Sequence, residues 1–170
     1  MMRRSLITAL FCAMTIPNAF AGEARTELIH PEKFTDIRNV NESAEDAQAR
    51  VGKEFSFYFS DLAKKLPNGY TLEVQITDID LAGSIRYNFA RTMRDIRVLK
   101  DIDWPKMSLS YTLKNPQQEV IASGKEELRD MYYLSKANLS TSSYKYEEQM
   151  LKDWFRHMQH SKVFPSREQS

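Results

Sequence analysis

From Tyr70 to Ile76 the chain alternates Tyr70, Leu72, Val74 and Ile76 with Thr71, Glu73 and Gln75, the two-residue period of a strand with one buried and one wet face. Such a strand needs paired neighbours and an apolar layer on one side, so this stretch commits the chain to a two-faced sheet. Immediately downstream the phase breaks. If the alternation ran on through Thr77-Asp78-Ile79-Asp80-Leu81-Ala82-Gly83, Asp78 and Asp80 would point inward while Ile79 and Leu81 faced water. Unpaired buried carboxylates are costly. Either the strand bulges near Thr77 and turns the acids out, or inner partners satisfy them.

A second acid pair of the same form lies at Asp101-Ile102-Asp103-Trp104-Pro105. Before it, Ile96, Val98, Ile102 and Trp104 occupy even positions; after it, Met107, Leu109, Tyr111 and Leu113 occupy odd ones, with Pro105 at the switch. Asp101 and Asp103 fall opposite Ile102 and Trp104, so solvent exposure is expected for them. Asn115-Pro116-Gln117-Gln118 reads as a turn into a further strand over 119–128, which completes a hairpin. Near the start, 26–37 reads as an extended segment interrupted by Pro31.

Two stretches switch to the helical period. Ala47, Val51, Phe55, Phe59, Leu62 and Leu66 recur at spacings of three and four behind Ser43, a cap residue with Asp46 three positions on. Pro67 and Gly69 stop this helix. A second begins near Ser143 and places Tyr146, Met150, Trp154 and Met158 on one face, with Leu151 and Phe155 beside them. The expected fold is α+β: a two-layer sandwich in the order β-α-β-β-β-α, with a mostly antiparallel sheet of about four strands and both helices on one face.

The N-terminus has the form of a secretory signal peptide: Arg3 and Arg4, an apolar run from Leu6 to Ile16, and Ala19-Phe20-Ala21 as a small-x-small cleavage site. Cleavage after Ala21 leaves a single domain over 22–164 and a disordered tail over 165–170. The apolar run is too short for a membrane span of roughly 20 residues, and no transmembrane segment is expected elsewhere. The one cysteine, Cys12, lies inside the signal, so the exported protein carries no disulfide and depends on its core. That pattern fits a bacterial periplasm.

Removal of Arg3 and Arg4 from a chain of 24 basic and 23 acidic residues leaves a net charge near −1. With no Lys/Arg stripe and no RNA-binding aromatic motif, nucleic acid is not an expected partner.

The segments TDIDLAG, DIRVLKDIDWPKMSLSYTL, LRDMYYL and YEEQMLKDWF together resemble an exported proteobacterial family, domain of unknown function 3016, over most of the chain after the signal. The resemblance implies export and a single domain. It supplies no catalytic residue, substrate or cofactor.

Candidate sites follow from side-chain chemistry. Asp78, Asp80, Asp101 and Asp103 would offer oxygen ligands to calcium or magnesium if their strands were neighbours. The competing reading has them capping backbone N–H groups or pairing with Arg86, Arg94, Arg97 or Lys100, and Asp favours such turn roles. His157 and His160 sit at a helix C-terminus, where imidazolium complements the dipole, and have no third ligand at a recognisable spacing. Ser140, Ser142 and Ser143 belong to no nucleophile motif. Phe57 and Tyr58 lie off the main apolar stripe of the first helix and either widen the core or form an exposed aromatic patch.

The function expected from these features is a non-enzymatic periplasmic domain that binds an envelope protein or a small ligand, without a cofactor. Asp78, Asp80, Arg97, Asp101, Asp103 and Trp104 are the expected binding residues. The alternative is a divalent-metal-dependent hydrolase on the Asp78/Asp80/Asp101/Asp103 cluster, where metal would activate a water.

Overall fold

A computed structural model describes residues 21–89, 94–138 and 140–167. The expected signal peptide, apart from Ala21, and the last three residues of the expected tail lie outside the described residues. The elements in chain order are β1 (Glu23–Leu28), a 3-10 turn (Pro31–Lys33), α1 (Ala44–Ala63), β2 (Thr71–Asp80), β3 (Ser84–Phe89), β4 (Arg94–Val98), β5 (Lys106–Lys114), β6 (Val120–Arg129) and α2 (Lys145–His160). The main sheet has the order β1-β2-β5-β6, and β3 and β4 form a separate two-stranded sheet. The fold is α+β, as expected, with a mostly antiparallel four-stranded sheet.

The strand count differs from expectation. The stretch from Asp95 to Leu113 is not one strand with a phase break but two strands in different sheets, and β3 carried no expectation of its own. The parity switch at Pro105 marks where the chain leaves the β3–β4 hairpin and enters the main sheet at Lys106. Pro105 cannot donate a ladder hydrogen bond, so it suits that junction. The first strand also begins earlier than expected and ends before Pro31, whose 3-10 turn moves the chain away until Asp36 bridges Asp80.

β1 runs parallel to β2, and the others pair antiparallel. A parallel pair needs a long crossover, and α1 supplies it. Its start is capped as the sequence predicts: Ser43 Oγ accepts the Asp46 N–H at 3.0 Å. Its stripe of Ala47, Val51, Phe55, Phe59 and Leu62 is buried, together with Leu66 beyond its end. Tyr58 is buried too, whereas Phe57 is 63% exposed, so one of the two off-stripe aromatics widens the core and the other does not.

The core draws on one face of each central strand: Leu72, Val74 and Ile76 of β2 against Met107, Leu109, Tyr111 and Leu113 of β5. Apolar side chains from α1 and α2 complete the cluster. Trp154 of α2 packs edge-on against Phe59 and Tyr111, and Phe164 closes the group with its ring 5.3 Å from Tyr111 and 5.6 Å from Trp154. Fully burying a side chain of this size is worth about 1.5–3 kcal/mol, and this apolar layer holds the fold. Beyond it, Arg167 N–H donates to Lys65 C=O at 3.0 Å, so the chain stays on the body through that residue.

The phase break in β2 is a bulge. Ile76 pairs with Leu109 and Asp78 with Ser108, which leaves Thr77 as the extra residue. One inserted residue restores the alternation. Ile79, opposite Met107, becomes fully buried, while Asp78 and Asp80 share the polar face with Ser108 and Lys106.

Candidate functional site

The bulge gives each acid of β2 a surface partner. Asp78 accepts from the backbone N–H and hydroxyl of Thr35 at 2.7 and 2.8 Å. Asp80 accepts from Lys106 Nζ at 2.8 Å, not from an arginine or the turn amides. Lys106 also sits 5.9 Å over the Trp104 ring, so Asp80 and Trp104 meet through one ammonium. Asp101 is exposed, and Asp103 accepts from the Ser84 hydroxyl at 3.0 Å. The four acids do not converge. Among the described residues no group of three or more His, Cys, Asp or Glu side chains is placed to hold a metal ion.

The other candidates also resolve into local roles. His157 and His160 are exposed in the last turn of α2. Ser142 and Tyr58 share a short hydroxyl–hydroxyl hydrogen bond, and Ser140 Oγ donates to Glu148 at 2.6 Å.

The residues that do come together surround the turn Leu81-Ala82-Gly83. Gly83 has φ +77°, a left-handed conformation that glycine adopts without steric cost, and its N–H donates to Asp103 C=O at 2.8 Å. Arg97 reaches back from β4 and grips the turn. One terminal nitrogen donates to the carbonyls of Ala82 (3.3 Å) and Gly83 (3.0 Å), and the other to Arg38 C=O (2.7 Å) and Asp36 Oδ1 (3.0 Å). The first nitrogen also lies 3.0 Å from Asp36 Oδ2, so guanidinium and carboxylate face each other as a two-pronged pair.

From the other side comes Glu147, in the first turn of α2, with only 2% of its surface exposed. Its Oε1 accepts the Ala82 N–H at 2.7 Å. Burial pushes its carboxyl above the ordinary value of 4.5, partly offset by that hydrogen bond, its own backbone N–H and the positive charge of Arg97. The turn is therefore held by an acceptor on its amide side and a guanidinium on its carbonyl side. Tyr144 completes the surroundings, 5% exposed, with the Arg50 guanidinium 5.1 Å over its ring.

A carboxyl whose folded value exceeds its unfolded value binds more protons in the folded chain between the two. Its contribution to stability is therefore present below about pH 4.5 and is lost as pH rises through the raised value. Glu147→Gln keeps an oxygen for the Ala82 N–H and removes the titration. The melting temperature of the variant minus that of the wild type should become more positive between pH 4 and pH 7. A difference that stays flat, or moves the other way, would show that Glu147 is not held against ionisation by burial.

Of the expected binding residues, Arg97 and Asp103 meet at this turn, while Asp78, Asp80, Asp101 and Trp104 do not join them. Sequence reading missed Asp36 and Glu147. Glu147 did leave a signal: it lies three, four and seven positions before Met150, Leu151 and Trp154, so the buried stripe of α2 runs through it. An acid on an apolar stripe marks a buried carboxylate. Asp36 left none, because its role depends on a bridge to β2 across 44 residues of chain.

The family model described as "Protein of unknown function (DUF3016)" matches residues 22–157 of the 170-residue chain, so the chain belongs to that family. No curated protein and no solved structure matches it.

Proposed function

For this member of the DUF3016 family we propose a non-enzymatic role as a periplasmic domain that docks another cell-envelope protein. One observation carries the reading. Leu99, Ile102, Met131, Tyr132 and Leu134 are 40–69% exposed, and they sit on two loops pinned to each other. The pin is Tyr133, which is buried, packs edge-on against Tyr146 at 4.8 Å, and donates its hydroxyl to Lys100 C=O at 2.6 Å. The Asp130 N–H adds a bond to Pro105 C=O at 3.2 Å. Apolar side chains held outward on anchored loops favour docking, since grouped exposed apolar surface marks interaction sites on soluble proteins.

In this reading both helices cover the apolar face of the main sheet in a two-layer arrangement, and the loops at its end remain free for the partner. Export is supported by the signal-like N-terminus and by a family match that starts at Gly22, the first residue after the expected cleavage. A divalent-metal hydrolase has no comparable observation behind it, because Asp78, Asp80 and Asp103 are each engaged with a different partner.

A photo-crosslinking residue at Ile102 or Tyr132, expressed in cells and released with the periplasmic fraction, should give a discrete light-dependent adduct. The same residue at Lys53 on α1 or Lys125 on β6, both exposed, should not. No adduct at the loop positions, or the same adduct at all four, would end the docking proposal.

A further inference from the structure

We propose that Glu126 keeps the free edge of β6 from pairing with β6 of a second copy of this chain. The inference does not rest on the docking role, which concerns the loops beyond the strand.

The edge is open. β6 ends one side of the main sheet, so only β5 pairs with it, and no backbone group of its ten residues bonds elsewhere among the described residues. A long unpaired strand of this kind is a template for another chain.

Its register with β5 turns Ala122, Gly124, Glu126 and Leu128 toward the core, and Glu126 lies opposite the buried Leu109. An acid in that row interrupts an otherwise apolar layer. Glu126 is half-buried and makes no hydrogen bond or ion pair with any described residue. It borders a hollow of about 310 Å³ between β6 and α2, where Leu128, Met150 and Trp154 are its apolar neighbours. Its carboxylate still reaches solvent from there, and a strand added to β6 would cover it.

Self-pairing offers no counter-ion in return. Paired strands set residues of one face against each other, so Glu126 would meet Ala122, Gly124, Leu128 or Glu126 of the second copy, none of them a cation. The outer face alone would favour association. Lys125 and Glu127 are exposed there, and one antiparallel register joins each to its opposite in the other copy, giving two ion pairs. That same register sets the two Glu126 carboxylates directly against each other. Like charges so placed, and taken out of water, oppose the pairing. A charge pointing inward from an edge strand is a known means of keeping such an edge single.

The test uses the chain from Gly22 in sedimentation velocity, as wild type, Glu126→Val, Glu127→Val and the Lys125→Glu, Glu126→Val double variant. Valine at 126 continues the apolar row and breaks no observed bond, so the variant should fold; Glu126→Gln, which removes the charge at nearly constant shape, should move association in the same direction. Glu126→Val should self-associate at least about 30-fold more tightly than the wild type, the factor for sparing two carboxylates the lower limit of the cost of burial without a partner. Glu127→Val removes the same charge from the outer face and should not associate more tightly than the wild type. Lys125→Glu should reverse most of the gain by setting like charges opposite each other in that register. No gain in Glu126→Val and Glu126→Gln, an equal gain in Glu127→Val, or a gain that Lys125→Glu leaves intact would overturn the proposal.

Discussion

Arg97→Ala should destabilise the fold by about 3 kcal/mol, toward the low end of the range for breaking a buried ion pair because this one keeps some contact with solvent. Arg97 and Asp36 are 19% and 26% exposed at their side chains, so screening is incomplete. Alanine removes more than the charge. The carbonyls of Arg38, Ala82 and Gly83 lose their donor, Asp36 is left half-buried without a counter-ion, and Glu147 loses the one positive charge that favours its ionised form. Lysine should not rescue. Its single ammonium cannot span two carboxylate oxygens and three carbonyls that a planar fork reaches together. In urea unfolding, the Asp36→Ala, Arg97→Ala double variant should cost less than the sum of the single changes, by about 0.5–3 kcal/mol of coupling. A loss below about 1 kcal/mol for Arg97→Ala, or strict additivity with Asp36→Ala, would show that the grip on the turn contributes little.

Gly83→Ala should cost a similar amount by a different route. At φ +77° any L-side chain is strained, and an added Cβ would lie 2.5 Å from Val98 O, 2.9 Å from Leu99 Cδ2 and 3.0 Å from Val98 C. Leu99 can rotate away, but the Val98 carbonyl belongs to β4 and can yield only if the strand moves. Backbone strain of about 1–3 kcal/mol and overpacking of about 1–3 kcal/mol together predict a loss of about 2–6 kcal/mol. Gly69 is the internal control. Its φ is +79°, yet its added Cβ would meet only the Pro116 ring, at 3.1 and 3.2 Å. Gly69→Ala should therefore pay for the conformation and a shift of the Pro116 ring by a few tenths of an ångström, about 1–3 kcal/mol, less than the loss at Gly83. Equal losses in the two variants would mean that the wall behind Gly83 gives way, and that the turn is not clamped between β4 and α2.

Much of this was legible in the sequence where the physics is local. The cap at Ser43, the stripe from Ala47 to Leu66 and the alternation from Tyr70 to Ile76 each follow from a period or a short-range hydrogen bond. The phase break at Thr77 was legible as a choice between a bulge and buried acids, and the structure selects the bulge. The parity switch at Pro105 was visible too, but its meaning, a change of sheet, was not. A register records which side of a strand faces inward and says nothing about which sheet the strand joins.

The sequence by itself determined the α+β class, the family, both helices with their apolar stripes, and the strand alternation from Tyr70 to Ile76 and from Met107 to Leu113. These depend on spacings within about ten residues, where the chain's own geometry sets which side chains share a face. Only the tertiary structure decided that β1 lies parallel to β2, that β3 and β4 leave the main sheet, and that Arg97, Asp36, Tyr144 and Glu147 close around Gly83. Those four residues come from three separate stretches between positions 36 and 147, which no local period links. Their meeting follows from the burial of one apolar layer, which brings distant polar groups together and leaves them to satisfy one another.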